Sequence, residues 1–118
     1  MRDITPRLTV TSEDDIIVAE LVDKKILDEI AITQIQEQLA SVLSPVAEPK
    51  LVMDFSRVAH MSSSALGMLI TLHKRILERK GALRLCGISP SIYEVFVITR
   101  LNEIFQIVQT RQQALASF

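Results

Sequence analysis

The sequence predicts an α/β fold: a mixed β-sheet of about four to five strands that opens with an N-terminal hairpin, together with about four α-helices. Three features carry that expectation. Two β-rich runs flank a polar cluster near the start; beyond them short apolar runs alternate with longer segments of helical periodicity; and the longer segments carry their own start or stop signals. Strands separated by helices pair in parallel, with the helices covering the sheet, whereas a hairpin contributes an antiparallel pair. A chain of 118 residues is near the commonest domain size. It buries a little under roughly 70% of its unfolded surface, so residues 1–118 are expected to form one domain.

Leu8 to Thr11 and Ile16 to Leu21 read as the hairpin strands, with Ser12-Glu13-Asp14-Asp15 as the turn. From Asp28 to Ser44 the apolar residues Ile30, Ala31, Ile35, Leu39, Val42 and Leu43 recur at helical spacing. Asp28 and Glu29 suit the positive end of that helix, and Pro45 follows its stop. Leu51 to Phe55, set off by Ser44-Pro45 and Glu48-Pro49, is continuously apolar and reads as a central strand covered on both faces. The second helix opens at the serines near position 62 and carries Leu66, Leu69, Ile70, Ile76 and Leu77 on its apolar side. Lys74, Arg75, Glu78 and Arg79 lie near its end, Gly81 is expected to cap it, and the periodicity leaves the facing of Ala65 and Met68 open. Leu83 to Cys86 forms the next strand; Ser89-Pro90 supplies an N-cap and first-turn proline for a third helix with Ile92, Val95, Phe96 and Thr99 on one side. A last strand falls around Ile104 to Val108, and Thr110-Arg111-Gln112-Gln113 fits a capping box opening a short terminal helix.

Composition narrows the function classes. The chain is 48% hydrophobic and 23% charged, ordinary for a packed core, but aromatic residues make up 4% and Trp is absent, so the core must be mostly aliphatic. The formal net charge is -1, with 13 basic residues spread among 14 acidic ones, which disfavours direct nucleic-acid binding. The single cysteine, Cys86, has no partner for an internal disulfide, and no basic stretch followed by an apolar run opens the chain, so a cytoplasmic location is expected. No apolar segment approaches the roughly 20 residues of a membrane-spanning helix, so membrane insertion is not expected.

The stretch richest in chemistry runs from Leu51-Val52-Met53-Asp54-Phe55-Ser56 into His60-Met61-Ser62-Ser63-Ser64-Ala65-Leu66-Gly67, where a strand stops and three hydroxyls open a helix. A helix start exposes unpaired N–H groups and a partial positive charge, so a serine there can cap as a hydroxyl and be tolerated as a phosphate. Ser-Ser-Ser is equally what a merely polar helix start looks like. The layout resembles the STAS fold of bacterial anti-sigma factor antagonists, in which an Asp-aliphatic-Ser strand end is followed by Met-Asp-Ser-Ser-Gly-Leu-Gly at a helix start. Gly81-Ala82-Leu83-Arg84-Leu85-Cys86-Gly87-Ile88-Ser89-Pro90 and Leu101-Asn102-Glu103-Ile104-Phe105-Gln106-Ile107 look like that family's later segments.

That resemblance implies a single STAS-like domain and places Ser63 on the family's phosphoacceptor, with Ser62 and Ser64 as lesser candidates. Ser62 stands where the family has aspartate, Ala65 replaces a glycine, and Leu21-Val22-Asp23 holds only part of the family's Gly-x-Leu-Asp. The implied function is partner switching: the unphosphorylated protein binds an anti-sigma factor serine kinase and releases a sigma factor, phosphorylation blocks binding, and a serine phosphatase reverses it. Arg57, His60, Met61, Ser62, Ser63 and Ser64 form the expected partner-binding surface, with Asp54 and Ser56 supporting the loop. A homodimer is compatible with this reading. The alternative is a STAS accessory or scaffold subunit of a transport or signalling complex, docking without serine phosphorylation.

Other residues take quieter roles. Asp54 is expected to orient the loop by accepting backbone N–H bonds, and His60 to be an exposed contact residue. An esterase built on Ser63 and His60 lacks the Gly-x-Ser-x-Gly elbow and a third group, so no catalytic residue is expected. His73 falls beside the inner stripe of its helix and fits half-buried packing; with only His60 for company it makes no metal cluster. Cys86 reads as a small buried residue, Lys24-Lys25 and Lys74-Arg75 as solvated charges, and Gly67, Gly81 and Gly87 are too scattered for a phosphate-binding loop. No cofactor or metal is expected.

Overall fold

The hairpin forms where the β-rich runs lie, β1 over Leu8–Glu13 and β2 over Ile16–Leu21. It is longer than the sequence suggests because the turn is tighter: Asp14 and Asp15 alone connect the strands, both with positive φ (47° and 67°). A two-residue turn with both φ positive matches the twist of the strands it joins, and aspartate tolerates that conformation better than most residues. In the computed structural model, residues 7–118 are described. They continue as β3 (Lys25–Ile26), α1 (Glu29–Leu43), β4 (Lys50–Asp54), β5 (His60–Met61), α2 (Ser63–Glu78), β6 (Ala82–Cys86) and α3 (Pro90–Ile98). A 3-10 turn over Leu101–Glu103, β7 (Gln106–Ile107) and α4 (Arg111–Ala116) complete the order.

The main sheet has five strands in the order β1-β2-β4-β6-β7. β1 is antiparallel to β2 and every other neighbour is parallel, so the sheet is mixed, as expected. β4 is central and its Leu51, Val52 and Met53 are fully buried, which is what an uninterrupted apolar strand requires. Alternate side chains sort to two faces. Leu51, Met53, Leu83 and Leu85 join the larger core cluster with residues of α1, α2 and α3, whereas Val52 and Cys86 pack with Ala114 of α4 on the other side. Cys86 is buried and its thiol is pushed up to about 11 by burial first and the Asp54 charge second, so it is held as an inert thiol.

Several details depart from the sequence reading. In α1, Ile32 rather than Ile30 faces inward; Ile30 is 69% exposed. In α2 the inner face is turned so that Ala65, Leu66, Met68, Leu69 and Ile76 are buried, and Ile70 and Leu77 meet solvent. In α3 only Ile92 and Phe96 are buried; Val95 and Thr99 are exposed. The last strand is confined to Gln106–Ile107, because the chain before it winds into the 3-10 turn. His73 packs its ring on Phe105 (centroids 5.0 Å apart), and burial lowers its pKa.

The end of α2 corrects the role given to Gly81. The Lys80 N–H donates to the Leu77 carbonyl (3.0 Å) and the Gly81 N–H to the Ile76 carbonyl (2.9 Å), a Schellman closure. The residue that takes the left-handed conformation is Lys80 (φ 59°), not Gly81. Glycine is needed at 81 for space: a Cβ there falls 2.2 Å from the Pro49 carbonyl oxygen. Two substitutions should therefore act oppositely in urea unfolding. Lys80→Gly relieves a left-handed strain and is expected to stabilise by up to about 1 kcal/mol, whereas Gly81→Ala forces backbone apart and is expected to cost roughly 2 kcal/mol.

Candidate functional site

Each of the parallel strands β2, β4, β6 and β7 is followed by a helix, so the starts of all four helices gather at the carboxyl edge of the sheet. Each start is closed by a side chain one residue before the helix: Asp28, Ser62, Ser89 and Thr110 accept from the N–H groups of Ala31, Ala65, Ile92 and Gln113 respectively. At α2 the cap is Ser62, whose hydroxyl accepts the Ala65 N–H at 3.1 Å. That engagement leaves Ser63 as the first helical residue, exposed, with Ser64 exposed beside it. No acidic residue lies in the first turn of α2. Ala65 is fully buried, its methyl group in the core.

The loop from Ser56 to Ser62 is fastened at three points. Val58 is buried and its N–H donates to the Phe55 carbonyl. The N–H groups of Ala59 and His60 both donate to the Lys24 carbonyl (2.7 and 3.1 Å), and that of Ser62 to the Ile26 carbonyl (3.0 Å). These bonds accompany a two-residue parallel pairing, Lys25 with His60 and Ile26 with Met61, which the sequence reading did not foresee. Segment 24–27 is thereby part of the site.

The third fastening is electrostatic. Asp54, 5% exposed, accepts the Ser56 N–H (2.9 Å) and the Ser56 hydroxyl on Oδ1, and Arg111 on Oδ2 through Nη2 (2.8 Å) and Nε (3.2 Å). Arg111 also lies 3.7 Å from Glu20. Burial by itself raises the Asp54 carboxyl, but the Ser56 hydroxyl, the Arg111 guanidinium and the Ser56 N–H outweigh it and hold the group below its ordinary value of 3.8. Gly87 makes room for this arrangement: its φ is +70°, and a Cβ there falls 2.5 Å from Ser56 Oγ and 2.8 Å from Asp54 Oδ1. The supporting role read for Asp54 and Ser56 thus has a geometry, while Arg111 and Gly87 escaped the sequence reading.

Of the expected partner-facing residues, His60 and Met61 line a groove of about 430 Å3 between β5 and the start of α2 on one side and α3 on the other. Arg57 is exposed outside it. Among the described residues no hydrogen bond links His60 to Ser62, Ser63 or Ser64, so the structure assembles no serine-histidine pair. No helix is long and apolar enough to cross a membrane among the described residues.

Fold and site define an α/β domain that presents a helix-opening serine at the carboxyl edge of its sheet. The STAS domain family profile matches residues 7–114, and the chain belongs to that family. It is 28% identical over 112 residues to BtrV of Bordetella bronchiseptica, which bears the name of an anti-sigma factor antagonist, covering 95% of this chain and 94% of that one. It is also 28% identical over 101 residues to the anti-sigma-B factor antagonist of Listeria monocytogenes, covering 82% of this chain and 80% of that one. The solved anti-sigma-factor antagonist (STAS) domain protein from Planctomyces limnophilus superposes with a TM-score of 0.84 at 27% identity, covering 93% of this chain and 96% of that one.

The Asp54 network yields a test with a sign. Because the folded-state pKa is depressed, its contribution to stability is complete above about pH 4 and fades as pH falls through the lowered value. Arg111→Leu is expected to cost about 1 to 2 kcal/mol at pH 7, the partial exposure of Arg111 keeping it below a fully buried pair. Urea unfolding at pH 7 and pH 3 should show that gap narrowing at the lower pH; a gap equal at both would assign the loss to packing.

Proposed function

We propose that this chain is an anti-sigma factor antagonist: unphosphorylated, it binds an anti-sigma factor serine kinase so that a sigma factor is released, and phosphate on Ser63 blocks that binding until a serine phosphatase removes it. The observation that carries the reading is the exposure of Ser63 as the first residue of a capped 16-residue helix. Ser62 already occupies the cap, so the Ser63 hydroxyl is not needed to hold the helix together. Phosphate would add about 1.5 to 2 negative charges where free N–H groups and the helix dipole favour an anion, by roughly 0.3 to 1 kcal/mol at an exposed site.

The same charge acts differently under a partner. Once a second protein closes over the helix start, phosphate must be desolvated and paired anew, and mismatched charge at an interface costs about 2 to 5 kcal/mol. That difference corresponds to a change in affinity of roughly 30-fold or more, enough for one modification to act as a switch. The kinship with proteins named anti-sigma factor antagonists supports the choice of partner.

Incubation with the cognate kinase and ATP, followed by peptide mass analysis, should place one phosphate on Ser63, with Ser63→Ala remaining unmodified. Ser63→Glu should lose kinase capture in a pull-down while melting within a degree or two of the parent chain. Full capture of the Ser63→Glu variant, or phosphate found only on another residue, would count against the switch and leave a scaffold role.

A further inference from the structure

The groove beside the switch serine is apolar at its floor and basic at its rim. Leu27, Met61, Leu66, Ile92 and Val95 line it, and Ile98 lies one turn beyond Val95 on the same side of α3. Leu27 is 51% exposed and Ile98 80%. α3 is the helix that most conspicuously keeps apolar side chains in water: besides Val95 and Ile98, Tyr93 and Val97 are exposed, and only Ile92 and Phe96 face the core. Apolar area of this kind, gathered around a concavity, is the mark of a binding surface.

Charge says what fits there. Lys25 and His60 line the groove and are paired with one another in the β3–β5 register. Lys24 precedes them and Arg57 lies in the loop leading to β5. All are exposed, and among the described residues Lys24, Lys25 and Arg57 form no ion pair. Although the formal net charge of the chain is -1, basic side chains without an ion-pair partner therefore lie along one side of this groove.

We infer that this groove, between β3–β5 and α3, receives an apolar side-chain ridge of the partner protein flanked by acidic residues. The inference rests on the partner-binding reading given above and adds the chemistry of the partner's surface. It also gives the phosphate a second mode of action. Negative charge on Ser63, at the head of the helix that supplies Leu66 to the groove, competes for the basic rim and repels the acidic flank of the partner.

The test uses the purified whole chain, the cognate anti-sigma kinase and isothermal titration calorimetry. Leu27→Ser/Val95→Ser removes apolar groove lining at two exposed positions and should weaken binding at least about tenfold with an unchanged circular dichroism spectrum. Lys25→Glu should weaken binding and flatten its dependence on salt. If both variants bind like the parent while Ser63→Glu does not, the groove inference fails and the switch stands. If the parent itself does not bind the kinase, the functional reading falls and this inference with it. If sedimentation shows the parent to be a dimer that Leu27→Ser/Val95→Ser turns into a monomer, the groove receives a second copy of the chain and the inference is overturned.

Discussion

A buried carboxylate, Asp54, is the constraint on which the carboxyl edge of the sheet depends. It ends the central strand, turns the chain by holding both the N–H and the hydroxyl of Ser56, and reaches across to Arg111 at the start of the last helix. A carboxylate that is 5% exposed is costly unless its oxygens are occupied, and here they are. The same contacts that satisfy the charge fix where the loop toward Ser63 begins. Gly87 belongs to this unit because a side chain at that position would occupy the space of Asp54 and Ser56.

From that anchor the rest of the site follows by topology. Parallel strands deliver their helices to one edge, and the pairing of β3 with β5 holds the loop against segment 24–27. The result separates two jobs among adjacent serines: Ser62 closes the helix and Ser63 stands free in solvent. Underneath, Ala65, Met68 and Leu69 are in the core, so the exposed hydroxyl rides on a firmly packed helix. An event at Ser63 can then change the surface while the body of the domain stays as it is, which is the physical requirement for a switch that acts on binding alone.

Local signals were legible in the sequence and non-local ones were not. Asp28, Ser62, Ser89 and Thr110 cap their helices as their residue types and spacing indicate, because capping is settled within a few residues. The central strand and the hairpin were equally plain. The rotation of α2 was not, since Ile70 and Leu77 obey the same period as the true inner face, and only the neighbouring sheet decides between them and Ala65 and Met68. β3 and β5 are two residues each, too short to carry any period. Arg111 meets Asp54 across 57 residues of sequence, and nothing in the stretch around Arg111 announces that partner.

The central claim is that a phosphate on Ser63 is accommodated at the helix start without disturbing the domain beneath it. Amide chemical shifts of the chain carrying phosphoserine at position 63, compared with the unmodified chain, test it most directly. Changes confined to residues 56–66 and to segment 24–28, with the amides of Met53, Leu69 and Leu85 unmoved, are the result this account predicts. Shifts spread along α2 and through the central strands would contradict it, because the modification would then act by remodelling the fold.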